Sequence, residues 1–180
     1  MFHKALVAMD FSAIGKYVFD EALFLAQVSK ASLMLVHVLS SQEQGSPPMP
    51  ILSRMDYYPY PVVSERTLDI YQEQWENYEK QGLDLLRSRV DEATAVGVST
   101  EFVQPSGNPG RTICEIARTW GADLIVMGRR GRTGLSELIL GSVSNYVLHH
   151  APCSVLTVQY PVTNTTQTAT DQSSSVNALK

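Results

Sequence analysis

The sequence predicts a doubly wound α/β fold, in which helices cover both faces of a five-stranded parallel sheet. Apolar runs rich in Val, Ile and Leu recur along the chain, as in strands that are buried on both faces. Longer segments with apolar residues every three or four positions separate these runs, which is typical of crossover helices. We expect the strand order 3-2-1-4-5, which is common in folds of this kind.

The first strand is predicted over "KALVAM", residues 4–9. Asp10 and Ser12 follow it, and Ser12 is predicted to be the N-cap of the first helix. "ASLMLVHVL" is the second strand. The proline- and tyrosine-rich segment 40–63 has no sustained period and predicts a long connection. It fits a tolerated surface insertion or a lid, and the sequence leaves both open.

A long helix is predicted from Ser64, with an aromatic stripe that we expect in the core. Gly82 is expected to bend this helix and Gly97 to end it. The remaining elements are a strand at "VSTEFVQ", a helix opened by Pro109, a strand at "GADLIVMG", a helix at "SVSNYVLHH" and a strand at "APCSVLTV". We predict one domain over residues 1–160 and a polar, disordered tail over residues 161–180.

The composition of the chain argues against several classes of function. A net charge of -4 argues against a protein that coats nucleic acid or anionic lipid. The apolar run near the start is too short for a secretory signal and no run reaches bilayer length, so a cytoplasmic location is predicted. Cys114 and Cys153 cannot form a disulfide framework or a metal cluster and are predicted to be buried structural residues.

The glycine-rich segment after the fourth strand is the strongest functional signal. In the expected order, strands one and four are neighbours at the switch point, so Asp10 and the loop from Gly128 face one crevice. Gly128 permits a sharp turn and a close approach to a ligand. Gly141 and Ser142 begin the next helix, where free N–H groups attract phosphate. Arginines at positions 129, 130 and 132 would supply countercharge.

Other phosphate-binding motifs are absent from the sequence. There is no G-x-x-x-x-G-K-[ST] and no G-x-G-x-x-G after the first strand. A phospho-receiver domain would need further acidic residues beside Asp10 and a lysine after a later strand, and neither is present.

The spacing of Gly128, Gly131, Gly141 and Ser142 matches the G-2x-G-9x-G-[ST] motif of the ATP-binding type of the universal stress protein family. The chain resembles this family from Phe2 to about Val158. "ALVAMDFS" is similar to its first strand, "MLVHVL" to its second, and the segment from "ADLIVMG" to "SVLTV" to its closing half. The connection 40–63 and the tail depart from the family pattern.

This resemblance implies a Rossmann-like fold, similar to adenine nucleotide alpha hydrolases, that binds ATP, with Mg²⁺ as an optional partner. It also implies a homodimer formed through the fifth strand, from Cys153 to Val158. Carried onto this chain, the adenosine site is Ala8, Met9, Asp10 and Val38, with the Val38 backbone on the adenine. Met127 and Gly128 would lie near the ribose, and the phosphates would contact Arg130, Gly131, Gly141, Ser142, Val143 and Ser144.

The residues do not form a recognisable catalytic set. Asp10 fits a metal ligand less well than a hydrogen bond to the ligand or to the first helix turn, and His37 is predicted to be packed or hydrogen-bonded. His149 and His150 point in different directions on a helix and do not predict a metal site. Three functions stay open: an ATP-binding regulator, a weak ATPase or self-phosphorylating protein, and a nucleotide-independent interaction module.

Overall fold

A computed structural model describes residues 1–41, 43, 45–49, 65–129 and 141–159. Five parallel strands form one sheet with the order β3-β2-β1-β4-β5, so the predicted fold class and strand order are confirmed. The strands are β1 (Lys4–Met9), β2 (Ser32–His37), β3 (Thr100–Val103), β4 (Leu124–Gly128) and β5 (Ser154–Val158). The predicted tail, most of the predicted connection 40–63 and residues 130–140 lie outside the described part of the chain, and the domain bounds remain a prediction.

Four helices connect the strands. They are α1 (Ala13–Ser29), α2 (Glu65–Ala95), α3 (Pro109–Trp120) and α4 (Ser142–His150). The start of α3 follows the expected chemistry, because the Asn108 side chain accepts a hydrogen bond from the Arg111 N–H and Pro109 occupies the first turn. Gly121 ends the helix with a φ of 73°, which favours glycine.

The sheet separates two apolar cores, because successive side chains of a strand point to opposite faces. One core packs β-strand residues such as Val7 and Leu35 against α1 and α2. The other packs residues such as Leu6 and Ile125 against α3 and α4. This double burial explains the unbroken apolar runs of β1, β2 and β4 in the sequence.

Helix α2 is less buried than the sequence predicts. Tyr78 is buried, but Tyr71 and Trp75 are half-buried and the side chain of Leu68 is 50% exposed. A helix of 31 residues is about 46 Å long, whereas a six-residue strand spans about 20 Å. Since α2 leads into the start of β3, its first turns extend beyond the carboxyl edge of the sheet.

Gly82 allows a close contact where the sequence predicts a bend. Helix α2 is one continuous element through this position. A Cβ on Gly82 would lie 2.3 Å from Gln104 Nε2 and 2.6 Å from His37 Nδ1. The missing side chain therefore makes room for two polar groups from β2 and from the end of β3.

Asp123 ties the start of β1 to the chain segment before β4. Its carboxylate accepts hydrogen bonds from the N–H groups of His3, at 2.7 Å, and Lys4, at 3.1 Å. Burial alone would raise the pKa of Asp123, but these backbone donors and the nearby His3 side chain hold that pKa below its ordinary value. The carboxylate thus stabilises the central strand from the amino edge of the sheet.

Both cysteines are free thiols, Cys114 buried and Cys153 half-buried. Burial raises the pKa of each thiol above its ordinary value, which is the behaviour of structural cysteines. In the described ranges, no helix combines the length and apolar character needed to cross a membrane.

Candidate functional site

A cavity opens at the carboxyl edge of the sheet, at the ends of β1 and β4. These two neighbouring strands form the topological switch point, at which the strand order reverses its direction. Its volume of about 150 Å³ is far larger than a site for a single water molecule. The lining comes from β1, β2 and β4, from the segments after β1 and β2, from α1 and from the starts of α3 and α4.

Every predicted site residue that the structure describes lines this cavity. These residues are Ala8, Met9, Asp10, Val38, Met127, Gly128, Gly141, Ser142, Val143 and Ser144. Arg130 and Gly131 lie outside the described residues. Arg129, a candidate for countercharge, does not line the cavity, and its guanidinium donates to Gln159 Oε1 at 3.3 Å.

The cavity also contains residues that sequence reasoning missed: Val18, Val36, Glu43, Pro109 and Ile113. Val36 could have been found, because it lies two residues before Val38 and therefore on the same face of β2. Glu43 follows β2 in an irregular segment, where no periodicity marks a residue as part of a site.

Asp10 and Ser12 form a local hydrogen-bonded pair at the end of β1. The Ser12 N–H donates to Asp10 Oδ1 at 3.1 Å, and the Ser12 hydroxyl donates to the same oxygen. Ser12 is the N-cap of α1 as predicted, but its side chain makes no capping hydrogen bond to the helix. The Asp10 carboxylate is thus bound to the residue that precedes the first helix turn.

Gly128 owes its lack of a side chain to packing. It has no positive φ, so the sharp turn expected from the sequence does not explain it. A Cβ at this position would lie 3.0 Å from Ile14 Cγ2 and 3.2 Å from Val18 Cγ2 of α1. Glycine therefore allows α1 to pack closely against the end of β4, beside the cavity.

The start of α4 carries backbone donors that lack acceptors within the helix, in residues that line the cavity. The first intrahelical bond runs from the Asn145 N–H to the Gly141 carbonyl at 2.9 Å, so the N–H groups of Ser142, Val143 and Ser144 have no acceptor within the helix. The Ser144 hydroxyl donates to the Gly141 carbonyl at 3.0 Å. Ser142 is exposed, and its hydroxyl has no partner among the described residues.

A buried polar cluster adjoins the β2 side of the cavity. His37 is fully buried and hydrogen-bonded. Its Nε2 lies 3.0 Å from Glu43 Oε2. The Tyr78 hydroxyl donates to the same oxygen. Gln104 Nε2 lies 3.2 Å from His37 Nδ1. The cluster therefore connects β2, α2 and the segment that carries Glu43.

Within the described ranges, no three or more His, Cys, Asp or Glu side chains are grouped so that they could hold a metal ion. His150 stacks on the Tyr146 ring, with 4.0 Å between ring centroids, and its Nδ1 lies 2.8 Å from the Tyr146 carbonyl oxygen. Its ring is therefore engaged within its own helix.

Comparisons with known proteins show which family this sequence matches. The model of the universal stress protein family matches residues 1–159. Universal stress protein Sll1388 of Synechocystis is 37% identical over 159 residues, which cover 87% of this chain and 97% of the relative. Universal stress protein YxiE of Bacillus subtilis is 33% identical over 159 residues, which cover 88% of this chain and all of the relative (100%).

Solved structures share the fold. Universal stress protein UspA from Lactobacillus plantarum has a TM-score of 0.66 at 23% identity, covering 87% of this chain and 97% of that one. An Arabidopsis thaliana family protein solved with AMP bound has a TM-score of 0.58 at 22% identity, covering 89% and 93%. A universal stress protein in complex with cAMP has a TM-score of 0.55 at 23% identity, covering 88% and 97%.

Proposed function

This chain belongs to the universal stress protein family, and we propose that it is a regulator that binds ATP in the cavity at the carboxyl edge of its sheet. The observation that carries the proposal is the start of α4, where three consecutive residues whose N–H groups lack helical acceptors line the cavity. Such groups, with the positive end of the helix dipole, favour phosphate. AMP and cAMP in structures of the same fold support a nucleotide as the ligand.

The two sides of the cavity suit the two ends of ATP. On the β2 side, Val36 and Val38 offer an apolar wall for a base, and the Val38 backbone is the proposed adenine contact. On the β4 side, Gly128 and the α4 start would hold the ribose and the phosphates. Arg130 and Gly131 belong to the proposed phosphate site through the glycine motif.

Asp10 is the proposed contact between these two sides. Ser12 occupies its Oδ1, which fixes the carboxylate at the end of β1. A carboxylate accepts hydrogen bonds from ribose hydroxyls, and one carboxylate together with phosphate oxygens also suits Mg²⁺. If Mg²⁺ accompanies the nucleotide, Asp10 is the carboxylate that we propose would help to hold it. The metal would neutralise phosphate charge.

Regulation by ATP is proposed in preference to dedicated catalysis. Transfer of a phosphoryl group needs an oriented nucleophile and charge stabilisation around the phosphate. Among the described residues, the candidate base His37 is fully buried and already hydrogen-bonded to Glu43 and Gln104. We propose that the nucleotide state acts through the connection 40–63 or the dimer surface.

We test ATP binding by nucleotide occupancy. Purified protein is denatured, released nucleotide is identified by mass spectrometry, and stripped protein is titrated with ATP and ADP, with and without Mg²⁺. Gly141→Val and Gly131→Val add side chains within the proposed phosphate site and should abolish saturable binding. Gln27→Val, at an exposed position of α1, is the matched control and should bind normally. Normal ATP binding by Gly141→Val would contradict the proposal.

We further propose a cytoplasmic homodimer formed through β5. β5 pairs with β4 along one edge, and Leu156 is a large apolar side chain exposed on it at 36%. An edge strand of this kind is a template for pairing with another chain. Sedimentation should show a dimer that Leu156→Lys converts to monomer, whereas Gln27→Lys should remain dimeric. An unchanged dimer in Leu156→Lys would place the contact elsewhere.

A further inference from the structure

Glu43 lines the cavity, and only one of its two carboxylate oxygens has a hydrogen-bond partner among the described residues. The side chain is only 7% exposed, and Oε2 receives the hydrogen bonds from His37 and Tyr78. Oε1 is buried and has no hydrogen-bond partner in the part of the chain that the structure describes. A buried carboxylate oxygen without a donor is costly, so a ligand that supplied one would be favoured.

The direction of each hydrogen bond around Glu43 follows from the partners of Gln104 and His37. Gln104 Nε2 lies 3.1 Å from the Glu79 carbonyl oxygen, which can only accept, so this atom is the amide nitrogen. The same nitrogen donates to His37 Nδ1, which leaves the imidazole hydrogen on Nε2, pointing at Glu43. Glu43 Oε2 is therefore anchored by two donors, and Oε1 remains as a pure acceptor.

Glu43 lies on the β2 side of the cavity, which is the proposed base side. Glu43 follows β2 in the chain and contacts His37, the last residue of that strand. Glu43 lines the same cavity as Val36 and Val38, although the side chain of His37, between them in β2, points to the opposite face of the sheet. The sheet order places β1 between this strand and β4, whose side carries the proposed phosphate contacts.

We propose that Glu43 Oε1 accepts a hydrogen bond from the exocyclic amino group of the bound base and so selects adenine over a purine with a carbonyl at that position. This inference rests on the proposed nucleotide site and adds its base specificity. The adenine amino group is a donor, whereas the corresponding carbonyl of hypoxanthine is an acceptor that a carboxylate would repel.

Glu43→Gln reverses the polarity of this contact without changing its shape. Its amide oxygen should take the place of Oε2, because His37 and Tyr78 both donate there. The amide NH₂ then occupies the place of Oε1 and offers a donor. The variant should bind ATP less tightly and ITP more tightly than the wild type does.

The experiment measures the dissociation constants of ATP and ITP for stripped full-length protein, by calorimetric titration. We expect the ratio of the ITP constant to the ATP constant to fall about tenfold or more in Glu43→Gln. Glu101→Gln changes an exposed glutamate of β3 and should leave the ratio unchanged. Both ligands are measured on one variant, so the ratio does not depend on the folded fraction.

The outcomes separate the two proposals. A ratio within about twofold of wild type in Glu43→Gln, with nucleotide still bound, overturns the role of Glu43 and leaves the ATP site standing. A wild type that binds ATP and ITP equally does the same. A wild type that binds neither nucleotide overturns the proposed function, and the base specificity with it.

Discussion

Helices α1 and α4 both begin at the carboxyl edge of the sheet beside a serine, but their first turns are satisfied differently. At α1, Asp10 accepts from the backbone and the hydroxyl of Ser12, and the Gly15 N–H donates to the Ser12 carbonyl at 2.9 Å. At α4, the Ser142 hydroxyl has no partner among the described residues, and three amides lack helical acceptors, whereas at α1 only those of Ala13 and Ile14 do.

This difference separates a structural helix start from one that can bind a ligand. Polar groups that the protein itself satisfies contribute to folding stability and have little left to offer a ligand. Polar groups left unpaired beside a cavity contribute little to stability but can bind an anion. Substitutions at α1 should therefore change stability, and substitutions at α4 should change affinity.

The largest effect is expected from Ser142→Pro. Proline suits the first position of a helix, and Gly141 has a ψ of 158°, which suits the residue before proline. The change removes one N–H and one hydroxyl, so ATP affinity should fall about 10- to 100-fold in a calorimetric titration. The melting temperature should stay within about 2 °C of wild type.

Ala13→Pro is the matched control for this change, at the first position of α1, where Ser12 has a ψ of 157°. It should leave ATP affinity within about twofold of wild type. An equal loss of affinity in both variants would show that the two helix starts do not differ.

Gly15→Ala should destabilise the start of α1. A Cβ there would lie 2.5 Å from the Asp10 carbonyl oxygen, which is backbone and cannot simply rotate away. Overpacking should outweigh the better helix propensity of alanine and lower the free energy of unfolding by about 1–2 kcal/mol. Urea unfolding measures this, with Gln27→Ala as the exposed control on the same helix. Unchanged stability would show that α1 shifts without cost.

A pair of serine substitutions compares the two starts directly. Ser12→Ala removes a hydroxyl bound to Asp10 and should cost about 1 kcal/mol of unfolding free energy. Ser142→Ala removes a hydroxyl without a described partner. It should leave the free energy of unfolding within about 0.5 kcal/mol of wild type but weaken ATP binding. Urea unfolding and ATP titration of both variants decide the matter. The reverse pattern would break the comparison.

The smallest effect is expected from Asp123→Asn, at the opposite edge of the sheet, where backbone N–H groups donate hydrogen bonds to the Asp123 carboxylate. The pKa of Asp123 is lower in the folded protein, so the ionised form stabilises folding at pH values above its unfolded pKa, about 3.9. The carboxylate is partly exposed, and Asn should cost less than about 1 kcal/mol at pH 7.

The difference in stability between Asp123→Asn and wild type should disappear as the pH falls below about 4 and through the lower folded pKa. Urea unfolding from pH 7 downward measures this trend. A difference that grows as the pH falls would mean that the Asp123 carboxyl is protonated more easily in the folded protein.

The parts of the fold that depend on local pattern were predictable from sequence. β1 has the predicted bounds, Lys4–Met9, because its run of apolar residues reflects burial on both faces. Helix α4 begins at Ser142 as predicted, and the described glycine-motif residues line one cavity. Each of these signals lies within a few neighbouring residues.

The features that sequence reasoning missed depend on contacts between distant segments. Glu43 contacts Tyr78, 35 residues away along the chain, and no local pattern encodes that pair. Gly82 faces His37 and Gln104, so its role depends on contacts among three separate segments of the chain, which no local pattern reveals. The Ser12 hydroxyl could cap α1 or bind Asp10, and residue type does not decide between them.

The strand order also sets when this protein can complete its folding on the ribosome. β1 pairs with β2 early, but its other edge must wait for β4, since Ala5 pairs with Leu124. At about 5–20 residues per second, that wait is on the order of ten seconds, during which one edge of an apolar central strand stays open. The cavity needs Ser144 as well, so a ligand can assist only a chain that has been synthesised past the start of α4.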